Sequence, residues 1–132
     1  MSHRDEIADA VERYASAWSR GDTAAIVGCY GEGFTLHYAG ANALSGVHAG
    51  KAAALGCLAE FSRRTNRRLV RIVDVLAGNE RGVVVAREAL GPDEARVEVE
   101  RVLVYRVEGG VFTECWVHDQ DQALIDRLVG AS

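Results

Sequence analysis

Trp116-Val117-His118-Asp119-Gln120-Asp121-Gln122 gathers an indole, an imidazole and two carboxylates into one short stretch. The alternation before it predicts a strand over Val111–His118, and the segment after it reads as a helix over Gln122–Val129. A strand-to-helix junction can face a cavity, and these side chains suit acid–base chemistry. Histidine titrates near neutral pH, and a carboxylate enclosed by apolar groups can shuttle a proton. Asp121 also stands where a helix cap belongs, and the helix dipole there favours its ionised form. An ionised carboxylate is still able to take a proton from an acidic carbon. His118 shares strand parity with Trp116 and Phe112, so all three are expected on one face.

Other residues are candidates for the walls of such a cavity. Tyr14, Trp18, Tyr30, Phe34, Tyr105 and Trp116 supply aromatic surface, and Leu103 sits in a strand run near Tyr105. His37 and Tyr38 are adjacent on a strand, so only one of them can readily turn inward. Arg87 and Arg101 both lie within strand runs. An arginine facing a cavity binds a carboxylate or enolate, and the parity of Arg87 with Val83 and Val85 allows that position. Asp74 has the parity of Val70, Ile72 and Leu76 and is a second carboxylate to consider.

The elements that must hold these groups separate along the chain. A helix is expected from about Ser2 to Arg20, with Ser2 and Asp5 as a capping box and Gly21 as the stop. Ile7, Val11, Tyr14 and Trp18 share its apolar face. Asp22 caps a second, short helix that Gly31 and Gly33 end, and Phe34 to Tyr38 reads as a strand. A loop rich in Gly, Asn and Ser runs to Gly50, followed by a helix from Lys51 to about Arg63 with Ala54, Leu55, Leu58 and Phe61 inward. Strand runs follow at Leu69–Ala77, Val83–Leu90, Val97–Val107 and Val111–His118, with short turns that predict an antiparallel meander. Helices first and strands after predict an α+β fold: a cone-shaped, curved antiparallel sheet covered by the N-terminal helices and enclosing a pocket.

The 132 residues suit one domain spanning residues 1–132, and 48% apolar with 26% charged residues is ordinary for a globular protein. No apolar run approaches the ~18 residues of a membrane span. The opening Met1-Ser2-His3-Arg4-Asp5-Glu6 lacks the apolar core of a secretory leader, so a cytoplasmic protein is expected. Cys29, Cys57 and Cys115 are widely spaced among apolar residues and read as buried free thiols. A net charge of −4 argues against nucleic acid as a partner. Arg63, Arg64, Arg67, Arg68 and Arg71 form a basic cluster, which reads as solvated surface in a chain whose basic residues are nearly all arginine. Neither the cysteines nor His37, His48 and His118 show metal-ligand spacing, so no metal is expected.

Three segments carry a resemblance. Tyr14 through Tyr30 places Gly21-Asp22 between two helices, with Ala25-Ile26-Val27 after. His37-x-x-Gly40-x-Asn42-x-Leu44-Ser45-Gly46-x-x-x-Gly50 forms a strand-loop-helix pattern. Gly110 through Gly130 sets Trp116 on a strand and Asp121-Gln122-x-x-x-Asp126 at the opening of a helix. In this order they resemble the nuclear transport factor 2-like superfamily, which includes ketosteroid isomerases, SnoaL-like polyketide cyclases, scytalone dehydratases and limonene epoxide hydrolases. The resemblance implies that Tyr14 is similar to the oxyanion-hole tyrosine of the isomerases. Their aspartate base would fall near Tyr38, and their second, protonated donor near Leu103; this chain has no carboxylate at either place. Asp121 precedes Gly130 by the spacing of the catalytic aspartate in SnoaL-like cyclases.

The expectation is a cofactor-free isomerase or cyclase acting on a hydrophobic, carbonyl-containing, polyketide- or steroid-like ligand. Asp121 would be the base or acid, His118 its partner, and Tyr14 the donor to the oxyanion. Trp18, Tyr30, Phe34, His37, Tyr38, Arg87, Leu103, Tyr105 and Trp116 would bind the substrate. Epoxide opening by Asp121 with Arg87 and Asp74 is an alternative, and a non-catalytic ligand-binding accessory protein is another. A homodimer through the exposed sheet face is expected, with no membrane partner.

Overall fold

Ser2 opens the first helix as the sequence implies. Its hydroxyl accepts the Asp5 N–H at 3.2 Å, while the Asp5 carboxylate accepts the Ser2 N–H. That helix, α1, is His3–Arg20, and it ends at Gly21 in the left-handed conformation. Asp22 caps α2 (Thr23–Gly28) by accepting the Ala25 N–H. Then come β1 (Tyr30–Tyr38), β2 (Gly46–Ala49), α3 (Lys51–Thr65), β3 (Arg68–Ala77), β4 (Arg81–Leu90), β5 (Val97–Glu108), β6 (Val111–Asp119) and α4 (Gln122–Val129). The structure is a computed structural model that describes residues 2–131. The fold is α+β: helices against a curved, unclosed sheet of six strands in the order β2-β1-β6-β5-β4-β3.

Strands β3 to β6 pair antiparallel in sequence order. Two features depart from the expected antiparallel sheet. β1 lies parallel to β6, with Leu36 opposite Cys115 and Tyr38 opposite Val117. The segment expected as loop before Gly50 contains β2, an edge strand that pairs with β1. β1 also starts earlier than the glycines suggest, because Gly31 and Gly33 lie within it where its register on β6 shifts.

Alternation on the strands sets what faces the helices. Val84, Ala86, Glu88 and Leu90 of β4 are buried, as are Val99, Arg101, Leu103, Tyr105 and Val107 of β5. On β6 the alternation breaks. Phe112 pairs with Val107 but Glu114 pairs with Arg106, leaving Thr113 as an extra residue. Phe112 therefore points inward together with Cys115 and Val117, not with Trp116. Helix α1 packs on β3, β4 and β5. It comes so close at Gly82 that a Cβ there would lie 2.5 Å from Val11 Cγ1 and 2.8 Å from Ile7 Cγ2.

The Gly40–Ser45 loop is tied to α4. Asp126 Oδ1 accepts from Asn42 Nδ2 at 2.7 Å, from Gln122 Nε2 at 3.0 Å and from the Ala41 N–H at 3.1 Å. The Asn42 bond, with those from Gln122 and Ala41, holds the Asp126 carboxyl below its ordinary range. The Asn42-to-Gly46 motif and the Asp126 motif, distant in sequence, thus form one structural joint.

Candidate active site

A buried polar network lies inside the sheet, around one guanidinium. Arg101 is only 2% exposed, and β5 aims it at the layer beneath the helices. Its Nε and Nη2 donate to the two carboxylate oxygens of Asp119, the latter bond being 3.4 Å. Nη1 donates to Glu88 Oε2 at 3.2 Å, and Nη2 also donates to the Tyr38 hydroxyl at 3.2 Å. The Phe61 ring centroid lies 4.1 Å from the guanidinium carbon. Burial alone would push Arg101 toward neutrality, but Glu88 and Asp119 outweigh it and hold the group above its ordinary range.

Glu88 is fully buried and has a second cation beside it. Arg67 Nε stands 3.2 Å from Glu88 Oε1. That oxygen nevertheless accepts no hydrogen bond among the described residues, so the approach is ionic and poorly aimed. Arg67 lies in the short connection between α3 and β3, and its guanidinium sits 5.3 Å from the Trp18 ring centroid and 5.5 Å from that of Phe61.

Arg67, Glu88 and Arg101 border a cavity with the phenols of Tyr14, Tyr30 and Tyr105. Phe34, Leu36, Leu58, Leu103, Cys115 and Val117 complete the wall. Its volume is about 20 Å³, room for one water. Burial raises the Tyr14 hydroxyl above the ordinary phenol range, although Tyr30, Tyr105 and the Arg67 charge pull it down. Tyr30 and Tyr105 are raised further, so all three are neutral donors at physiological pH. Burial also pushes the Cys115 thiol up to about 12, and Cys57 to about 11, which makes both poor nucleophiles.

Several expected site residues do lie at this cavity: Tyr14, Tyr30, Phe34, Leu103 and Tyr105. Tyr38, the inward member of the His37–Tyr38 pair, reaches Arg101. Trp18 is half-buried in a neighbouring cleft.

The expected Asp121–His118 pair is not brought together there. Asp121 is exposed and accepts the Leu124 N–H at 3.0 Å, so it caps α4. His118 is exposed on the outer face of the sheet. The bulge at Thr113 is the cause, because it turns Trp116 and His118 outward. Trp116 stacks on His37 at 5.1 Å, with Arg81 4.1 Å from its ring centroid. His37 pairs with Glu114 at 2.6 Å on that same outer face.

Arg87 also points outward and pairs with Glu98 and Glu100. Asp74 is exposed, so the three residues considered for epoxide opening do not meet. Replacing Asp121 by Ala is expected to lower stability by about 1 kcal/mol through the lost cap. A shift in the urea unfolding midpoint at unchanged slope would measure it.

Sequence reasoning does not place Glu88, Arg67 or Cys115 at this cavity, names Asp119 only within the junction motif, and favours Arg87 over Arg101 as the inward arginine. A signal was present: Glu88 has the parity of Ala86 and Leu90, and Arg101 that of Leu103 and Tyr105. Among the described residues, no group of three or more His, Cys, Asp or Glu side chains is placed to hold a metal ion. No helix among them is long and apolar enough to cross a membrane.

Comparison with known proteins supports the fold. Residues 11–115 match the family described as SnoaL-like domain. No curated protein matches the chain. A cystatin-like-fold protein from Xanthomonas campestris superposes with a TM-score of 0.82 at 22% identity, over 92% of this chain and 96% of that one. A proposed polyketide cyclase from Xanthomonas campestris pv. campestris gives 0.72 at 19% identity, over 96% and 99%. TerC, co-crystallised with polyporic acid, gives 0.76 at 14% identity, over 93% and 98%. At such identities the likeness is one of fold.

Proposed function

The chain belongs to the SnoaL-like domain family, and we propose that it is a cofactor-free acid–base enzyme of the isomerase or cyclase type, acting on an apolar carbonyl compound. The observation that carries this reading is Glu88 Oε1, a buried carboxylate oxygen that accepts no hydrogen bond at a cavity also walled by the Tyr14 phenol. A base and a neutral donor beside one small space are what proton abstraction next to a carbonyl requires.

The steps follow from those two groups. Glu88 takes the proton from the carbon beside the substrate carbonyl. Electrons from the broken C–H bond form the enolate, whose oxygen accepts a hydrogen bond from Tyr14. In isomerisation, Glu88 returns the proton to a conjugated carbon. In ring closure, the enolate carbon attacks a second carbonyl of the same molecule, and the new alkoxide takes the proton from Glu88. Arg101 and Asp119 act on Glu88 by holding it in place. The ring-lined interior has room for one water as it stands, so an apolar substrate reaches Glu88 by displacing the side chains it shares with the neighbouring cleft, and the TerC co-crystal supports a small-molecule reading. The assignment expected for Asp121 and His118 passes to Glu88, with Tyr14 keeping its part.

Incubation with cyclic and aromatic ketones in deuterium oxide tests this. Proton NMR should show exchange at the carbon beside the carbonyl at rates well above buffer. Binding without exchange for every ketone that binds would favour the alternative, a ligand-binding accessory protein.

We also propose a homodimer through the outer sheet face. Val83, Val85, Val102, Val104 and Trp116 form an apolar strip there, rimmed by Arg87, Glu98, Glu100, Arg106 and Glu114. Both signs at the rim allow self-complementarity about a two-fold axis. Sedimentation should give twice the chain mass, and Val104→Glu should give the monomer.

A further inference from the structure

The interior cavity has a neighbour. A cleft of about 230 Å³ lies between the helices, lined by Trp18, Thr23, Ile26, Leu55, Ala59 and Ser62. Tyr14, Tyr30, Leu58 and Arg67 line both spaces, so these four side chains are the partition between them. Tyr14 and Tyr30 are pinned in the aromatic cluster, with ring centroids 5.9 Å apart. Arg67 is held far less firmly. Its side chain is 18% exposed, and it is rooted in the connection between α3 and β3. Its one ion pair among the described residues, to Glu88 Oε1, lacks hydrogen-bond geometry.

We infer that Arg67 is the specificity-determining residue at the mouth of the interior site, and that the ligand it selects is an apolar carboxylate. This rests on the interior site being the functional one. The ligand's apolar body lies in the larger cleft against Trp18, Ile26 and Leu55, while Arg67 leaves Glu88, opens the partition to the interior cavity and turns its planar guanidinium to the carboxylate. Bidentate pairing there replaces a poorly aimed contact with two well-aimed bonds. The Trp18 ring, already beside the guanidinium, keeps Arg67 at the mouth.

Charge balance links this movement to chemistry. Arg67, Arg101, Glu88 and Asp119 together carry no net formal charge. When Arg67 turns to the ligand, the inner group of Arg101, Glu88 and Asp119 is left with one negative charge in excess. A proton taken by Glu88 from the ligand restores neutrality in the buried layer. Seating a carboxylate at the mouth would therefore release the base for use.

A matched pair of probes tests this on the intact chain: 2-naphthoate and 2-acetylnaphthalene, alike in their apolar body but differing in charge. Binding is followed through backbone amide shifts in nitrogen–proton NMR. The wild-type protein should bind 2-naphthoate at least tenfold more tightly. Arg67→Met should abolish that preference while still binding the neutral ketone, and Arg67→Lys should restore part of it. Amide spectra of both variants report whether the fold is intact. No 2-naphthoate binding by the wild type, or a preference that survives in Arg67→Met, would overturn the inference. Loss of the preference in Arg67→Lys as in Arg67→Met still supports it, because a lysine cannot form the bidentate pair. The readout is binding, so it separates from the enzymatic reading. Proton exchange without anion preference would leave the enzyme standing and remove only the role of Arg67.

Discussion

Replacing Arg101 by Met should destabilise the protein by about 3–5 kcal/mol, the cost of breaking a buried ion pair from one side. The magnitude follows from what is left behind. Asp119 would lose both guanidinium bonds and Glu88 would lose its hydrogen-bonded cation, with both side chains at most 2% exposed. The methionine would fill much of the volume and keep contact with Phe61, so the loss is electrostatic more than steric. Against a typical total of about 5–15 kcal/mol, this is a large share. Urea unfolding at constant pH measures it. The combined change Arg101→Met, Glu88→Gln, Asp119→Asn should recover at least half of the loss, because it removes the stranded charges as well. A single variant within 1 kcal/mol of wild type would show that the network is less buried or less coupled than its geometry implies.

That network shows where a reading of the sequence reaches and where it stops. The helices are legible because their signals are local: Ser2 with Asp5, Gly21, Asp22, and the apolar stripe from Ile7 to Trp18. The meander is legible from strand-length runs between short turns. The parallel pairing of β1 with β6 is not, because it joins segments far apart in sequence with no local signal. β2 is missed for a related reason. Gly46-Val47-His48-Ala49 has no apolar alternation, and it is a strand only because β1 offers it an edge.

The site was legible in its apolar part and illegible in its polar part. Tyr14, Tyr30, Phe34 and Tyr105 follow from periodicity and lie at the cavity. On β4 and β5, valines occupy both faces: Val83 and Val85 outside, Val84 inside, Val102 and Val104 outside, Leu103 inside. With apolar residues on both sides, alternation cannot say whether Arg87 or Glu88, Glu100 or Arg101, turns inward. Pairing resolves it. Glu88 and Arg101 neutralise one another, whereas Arg87 finds Glu98 and Glu100 on the solvent side. On β6 a single extra residue, Thr113, reverses the faces of everything after it. Asp119 thereby enters the core that His118 was expected to enter. The basic cluster holds the same lesson. Arg63 is the exposed surface residue the cluster suggested, while Arg67, a turn further on, is drawn inward by Glu88.

Glu88→Gln should reduce carbon-acid exchange by about 10²–10⁴, the range for losing a general base. The change is nearly isosteric and removes the base while keeping an oxygen for Arg101. It leaves the bidentate Arg101–Asp119 pair intact, and Arg67 can turn to the cleft. The stability cost should therefore be about 1.5–3 kcal/mol, the range for a lost hydrogen bond to a charged group. That is less than for Arg101→Met, and the variant should still be folded at room temperature. The two effects then separate cleanly: a folded protein that binds the ketone but no longer exchanges its proton. Tyr14→Phe should behave differently. It keeps the ring against Phe112 and Tyr105 and removes only the hydroxyl, so exchange should fall by about 10²–10³ as for a lost oxyanion donor, with a stability loss of about 1–3 kcal/mol because the Tyr30 and Tyr105 hydroxyls lose a partner. Deuterium exchange followed by NMR on the three proteins, at saturating ketone, gives both comparisons. Unchanged exchange in Glu88→Gln would move the base to Asp119, the other carboxylate on Arg101. The same measurement on Asp119→Asn would then decide between them, because Asp119 has both oxygens engaged by Arg101 and Glu88 has one without a hydrogen bond. A proton acceptor must also face the substrate, and of these two carboxylates it is Glu88 that lines the cavity, with an oxygen that accepts no hydrogen bond among the described residues.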